Sequence, residues 1–237
     1  MIELFFFPSP NGMKIAMMLE ECELPYKITC IDITKGEQFH PDYMKISPNC
    51  KIPAMIDHID ADEPISLFES GAILLYLANK TGRFFPPQGT AYYQAIQWLF
   101  WQIGHLGPMA GQAHYFREFC EISDTHGIER FTNEMNRLYA VLNTKLENQD
   151  FIFETYSIVD IACWPWIKFH QWQGQDLCDF PAVKNWFEKV STRPAVIRAE
   201  KLGTSTKVDR DSYRNVLHNQ TADTAEKYRH SLQNKNE

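Results

Sequence analysis

The chain has 237 residues, a formal net charge of −7, 44% hydrophobic and 22% charged residues. This balance excludes a disordered polypeptide and is long enough for one large domain or two small ones. No apolar run approaches the ~20 residues of a membrane helix. No lysine–arginine run marks a nucleic-acid surface.

The start, Met1-Ile2-Glu3-Leu4, carries no basic leader, so the reading is a cytoplasmic, unexported chain. The six cysteines (22, 30, 50, 120, 163 and 178) include no Cys-x-x-Cys pair. With no export signal they read as thiols in a reducing compartment. The eight histidines show no metal-ligand spacing, and no metal is expected.

Residues 1–80 alternate strand and helix signals. Ile2–Phe7 is an apolar, aromatic run stopped by Pro8, followed by turn chemistry in Ser9-Pro10-Asn11-Gly12. A helix is expected over Met13–Glu23, a strand over Tyr26–Ile31 and a short helix over Pro41–Ile46. Ile52–Asp57 and Ile65–Phe68 read as a strand pair close enough for a hairpin, and Glu69–Lys80 as a helix. The order β-α-β-α-β-β-α fits a small mixed sheet with packed helices.

Gly82, Pro86, Pro87 and Gly89 mark a boundary. Beyond it no strand pattern appears, and all six tryptophans lie there. Long helices are expected over Tyr92–Phe116 and Ile128–Leu146. Ser157-Ile158-Val159-Asp160 is a capping-box variant opening another helix. Val183–Thr192 is a further helix, stopped before Pro194. The division expected is 1–81, a linker at 82–89, an all-helical unit at 90–206, and a polar, weakly packed tail at 207–237.

Several segments stand in a familiar order: Ser9-Pro10-Asn11-Gly12, Ser47-Pro48-Asn49-Cys50-Lys51-Ile52-Pro53-Ala54, Leu67-Phe68-Glu69-Ser70-Gly71-Ala72-Ile73, Gln97-Trp98-Leu99-Phe100-Trp101-Gln102, Gly107-Pro108-Met109, Tyr156–Ala162 and Pro181–Trp186. Together they resemble the Nu-class bacterial glutathione transferases, which act as disulfide-bond reductases. They are also similar to the transferase-like domain of the yeast prion-forming nitrogen regulator. The resemblance spans about residues 1–200 and leaves the tail from 207 unexplained.

The resemblance implies an α/β thioredoxin-like N-terminal domain plus an all-α C-terminal domain, the glutathione transferase fold. It implies glutathione as cosubstrate, a small disulfide or electrophile as second substrate, transferase and peroxidase side activities, and a homodimer. A non-catalytic glutathione-binding or regulatory protein of the same fold is the alternative.

Glutathione offers carboxylates, an amine, amides and a thiol, and the candidate residues divide along those groups. Glu69 and Ser70 stand at a helix start, suited to an amino-acid headgroup, Ser70 meeting the carboxylate and Glu69 the ammonium. They also serve as plain capping residues. Ile52-Pro53 is implied to be a cis peptide whose Ile52 backbone pairs with the tripeptide. Lys51 and Gln38 can meet the carboxylate at the glycine end; Arg130 matches a family arginine that contacts glutathione.

Ser9 and Asn11 are the sulfur candidates. A hydroxyl and an amide N–H aimed at sulfur favour the thiolate, the reactive form. The same two residues also suit a turn and a helix cap. The bacterial relatives carry threonine at the position of Ser9 and asparagine at that of Cys50. With neither tyrosine nor cysteine in the first turn, the implied mechanism uses no protein cysteine. Trp101, His105, His114, Tyr115 and Phe116 are expected around the second-substrate pocket, none as a catalytic residue.

Overall fold

Four short strands form one sheet in the order β2-β1-β3-β4. β1 (Ile2–Phe6) runs parallel to β2 (Tyr26–Cys30) and antiparallel to β3 (Ala54–Asp57). β3 pairs with β4 (Ile65–Phe68) as the expected hairpin, Ala54 opposite Phe68. The computed structural model describes residues 1–59 and 63–204, together with Arg214 and Glu226. The tail expected over 207–237 otherwise lies outside the described residues.

Strand alternation divides the core. Leu4 and Phe6 join Met55 and the apolar faces of α1 (Pro10–Cys22) and α3 (Ser70–Thr81) in the main core. Phe5, on the other face, joins Ala54, Ile31 and Tyr43 of α2 (Pro41–Ile46) in a smaller cluster.

The first helix begins earlier than the expected Met13. Ser9 is its N-cap, with the side-chain oxygen accepting from Gly12 N–H at 3.1 Å, and Pro10 occupies the first turn. Serine at the cap and proline just inside are helix-start chemistry, so Asn11-Gly12 belongs to the helix and not to a turn. Gly12 is required for space: a Cβ there would stand 2.4 Å from the Phe7 carbonyl oxygen.

The long helix expected over Tyr92–Phe116 runs as α4 (Gly89–Trp101), a π-turn over Gln102–Leu106, α5 (Gly107–His114) and a second π-turn over Tyr115–Phe119. Pro108 has no N–H for the Gly104 carbonyl, which accounts for the wider turn ahead of it. α6 (Thr125–Leu146) packs on α5 and α8 (Pro181–Ser191). The sequence reading stopped its helices at Thr192; α9 (Pro194–Thr204) continues them and packs along α1.

α7 (Ile158–Ile167) is buried at all ten positions and forms the spine of the helical unit. Its start is the expected capping box. Asp160 is fully buried and accepts from Ser157 N–H and Oγ–H, Ile152 N–H and Trp186 Nε1–H, at 2.8–3.0 Å. A buried carboxylate in an apolar helix is thereby supplied with four donors.

Arg193 and Arg198 bind the helical unit to the end of α1. Arg193 forks onto Glu21, Nε to Oε1 at 2.5 Å and Nη2 to Oε2 at 2.8 Å. Arg198 bonds Glu20 through Nε at 2.5 Å.

Candidate active site

Where the sheet unit meets the long helices there is a cleft of about 940 Å³. Eight of the nine expected site residues line it: Ser9, Asn11, Gln38, Lys51, Ile52, Pro53, Glu69 and Ser70. Arg130 does not; it stands exposed on α6, away from the cleft lining. Of the expected second-pocket residues, Tyr115 reaches the cleft, while Trp101, His105, His114 and Phe116 do not line it.

Three loops build the sheet side. The first is the β1–α1 junction. Ser9 uses its oxygen to cap the helix, but a hydroxyl keeps its proton to give. Capping and donation to a ligand are therefore compatible. Asn11 sits in the first helical turn, half-buried, with Oδ1 accepting from Trp166 Nε1–H at 3.2 Å. Its Nδ2 has no partner among the described residues.

The second loop is 47–53. Tyr43 Oη–H and Ser47 Oγ–H both donate to the Lys51 carbonyl, at 2.7 and 2.8 Å, and hold the loop in shape. The Ile52–Pro53 peptide is cis. Cys50 is buried, lines the cleft and has φ 53°. The third loop is the start of α3, where Glu69 is exposed at φ 70° and Ser70 is buried. Left-handed backbone at non-glycine residues is uncommon and gathers at functional sites; two such residues face this one cleft. Gly71 lets the α3 start approach the long helix, since a Cβ there would meet Ile103 Cδ1 at 2.0 Å.

The cleft also holds residues that the sequence reading missed. Lys14 is almost fully buried and donates through Nζ to Gln102 Oε1 at 2.7 Å and Ser70 Oγ at 3.2 Å. Burial pulls its pKa down to about 7, against the opposing pull of Cys163 and Glu69. The available signal was its place in the apolar stripe of α1, four residues before Met18. Gln102 and Trp166, both from the helical half, carried no local signal. Two buried amide atoms at the cleft lack partners among the described residues, Gln38 Oε1 and Gln102 Nε2. Buried polar atoms are seldom left so, and this acceptor and this donor are suited to a polar ligand.

A thioredoxin-like sheet with a hydroxyl and an amide at its first helix, closed by an all-helical unit, defines a two-part protein with a polar-lined cleft where the parts meet. The particular family follows from comparison. Residues 8–80 match the family described as glutathione S-transferase, N-terminal domain, and 128–194 the glutathione S-transferase, C-terminal domain. The disulfide-bond oxidoreductase YfcG of Escherichia coli K12 is 52% identical over 202 residues, spanning 84% of this chain and 94% of that protein.

A glutathione transferase family member from Pseudomonas fluorescens Pf-5, solved with two glutathione bound, is 42% identical with a TM-score of 0.79, over 84% of this chain and 91% of that one. A glutathione transferase from Pseudomonas putida, with one glutathione disulfide bound per subunit, gives 37% identity and a TM-score of 0.80, over 85% and 91%. The chain belongs to the glutathione S-transferase family.

Proposed function

We propose that this protein is a glutathione-dependent disulfide-bond reductase whose reacting sulfur belongs to bound glutathione. The observation that carries the reading is the donor pair at the start of α1. The Ser9 hydroxyl proton and Asn11 Nδ2 are both available in the cleft, and the positive end of the helix lies behind them. Glu69 and Ser70 are assigned to the γ-glutamyl headgroup, the Ile52 backbone at Pro53 to the peptide, and Lys51 and Gln38 to the glycine carboxylate. Arg130, outside the cleft lining, is kept as a glutathione contact from the family resemblance alone.

In the reaction, the glutathione thiolate attacks one sulfur of a disulfide R–S–S–R. A mixed disulfide forms and one RS⁻ leaves, taking a proton from solvent. A second glutathione thiolate attacks the mixed disulfide, giving glutathione disulfide and the second thiol. Two glutathiones are oxidised and one disulfide reduced. The YfcG relative is named for this activity, and the relatives solved with two glutathione or with glutathione disulfide hold its reactant and its product. Electrophilic carbons and hydroperoxides are slower alternative acceptors.

Residues 1–81 are the glutathione-binding unit, 82–89 the linker and 90–206 the helical unit in this reading. The decisive assay is disulfide reduction with glutathione by wild type, Ser9→Ala, Asn11→Ala and Cys50→Ser. The first two substitutions lower turnover by about tenfold each, as expected for loss of one thiolate donor. Abolition of turnover by Cys50→Ser alone would overturn the cysteine-free mechanism.

A cytoplasmic homodimer is part of the same proposal. Tyr93 and Phe100 on α4 are 70% and 63% exposed, and Ile65 and Phe68 on the edge strand are each 38% exposed. Large apolar side chains left in water suit a subunit contact. Sedimentation at micromolar concentration is expected to give twice the chain mass; a monomer would contradict it. All six cysteines are in thiol form, which suits a reducing compartment.

A further inference from the structure

We infer that Trp166 is a positioning residue for the reaction, fixing which end of the Asn11 amide meets the sulfur. The inference rests on the reading of Asn11 as a thiolate donor and extends it to a residue of the helical half, 155 positions away.

An asparagine amide has an accepting end and a donating end of nearly equal size. Unrestrained, it can turn either toward a ligand. A thiolate needs the donating end; the carbonyl oxygen would repel it. The indole Nε1–H is a donor only, so the group it faces at 3.2 Å must be Oδ1. Nδ2, without a partner among the described residues, is then the end left for the cleft. Trp166 thereby excludes the amide rotamer that would raise the thiol pKa.

A positioning residue must itself be fixed, and Trp166 is. It is 8% exposed. α5 packs against its ring: a Cβ at Gly107 or Gly111 would lie at ordinary contact distance, 3.4 Å and 3.9 Å, from indole carbons. His114 stacks on the ring at 6.0 Å between centroids, with 29° between planes. The Trp166 carbonyl accepts from Gln173 Nε2 at 2.7 Å. Gln173 is held in turn by Tyr139 Oη–H, donating to Oε1 at 2.8 Å.

The test compares wild type, Asn11→Ala, Trp166→Phe and the double variant. A further protein carries benzothienylalanine at 166, which keeps the indole shape but replaces the N–H by sulfur and guards against a folding defect in the phenylalanine variant. The readout is the pKa of the bound glutathione thiol, from the ultraviolet absorbance of the thiolate against pH, with kcat and KM for disulfide reduction.

Asn11→Ala is expected to raise the bound thiol pKa by about one unit, and both Trp166 replacements by about half a unit to one unit. kcat should fall about three- to tenfold in step, with KM for glutathione changing less than about twofold. The double variant should be no worse than Asn11→Ala. If Asn11→Ala raises the thiol pKa but the Trp166 replacements leave it unchanged, or the double variant is additive, the role of Trp166 is overturned and that of Asn11 stands. If Asn11→Ala has no effect on the thiol pKa, the donor reading itself fails, and the inference with it.

Discussion

Lys14 Nζ lies 2.7 Å from Gln102 Oε1, joining the first helix of the sheet unit to the long helix of the helical unit within the floor of the cleft. An ammonium is expensive in such a place. It is retained there by two acceptors, Gln102 Oε1 and Ser70 Oγ.

The pH dependence of stability follows from that placement. Burial lowers the Lys14 pKa to about 7 in the fold, against the ordinary lysine value of 10.5 expected of the unfolded chain. Between those values the unfolded chain binds the extra proton, so raising the pH stabilises the fold. Lys14→Met removes this dependence. Unfolding free energies in urea are expected to shift by about 2–3 kcal/mol in favour of wild type, relative to the variant, between about pH 6.5 and pH 9. Parallel curves for the two proteins would show that Lys14 does not titrate in this range.

His114 acts in the same sense, in a lower pH range. Burial lowers its pKa to about 4, partly offset by a hydrogen bond with the Phe169 backbone. Its neutral ring stacks on Trp166. As pH falls from the unfolded value of 6.5 toward 4, the unfolded chain takes up the proton first and stability is lost. Wild type should lose about 3 kcal/mol more than His114→Asn between about pH 7 and pH 4. Equal losses in acid unfolding of the two proteins would contradict this.

The Glu21–Arg193 fork is a two-bond ionic link between α1 and the C-terminal helices. Glu21 is 8% exposed, and the Arg193 guanidinium lies 3.7 Å from the centroid of the Tyr156 ring. Arg193→Ala strands a buried carboxylate and is expected to cost about 3 kcal/mol. Arg193→Lys keeps the charge but loses the planar fork, and should recover only part of that in thermal or urea unfolding. Full recovery by lysine would show that charge alone matters.

What was legible in the sequence is what neighbouring residues settle among themselves. Ser9 caps its helix because a serine oxygen reaches an N–H three residues on; Ser157 and Asp160 form their box for the same local reason. The β-α-β-α-β-β-α order and most of the cleft residues were readable because they sit on short motifs at loop ends. Tertiary structure decided the rest, through contacts between residues far apart in the chain. Lys14 stands in the apolar stripe of α1, but its two acceptors come from α3 and the long helix, which no local pattern names. Arg130, matched by family pattern alone, lies outside the cleft because the face that α6 turns inward is set by its packing on α5 and α8. Asn11 could be read as turn, cap or sulfur donor from its neighbours; the orientation of its amide depends on an indole 155 residues away, and no local pattern encodes it.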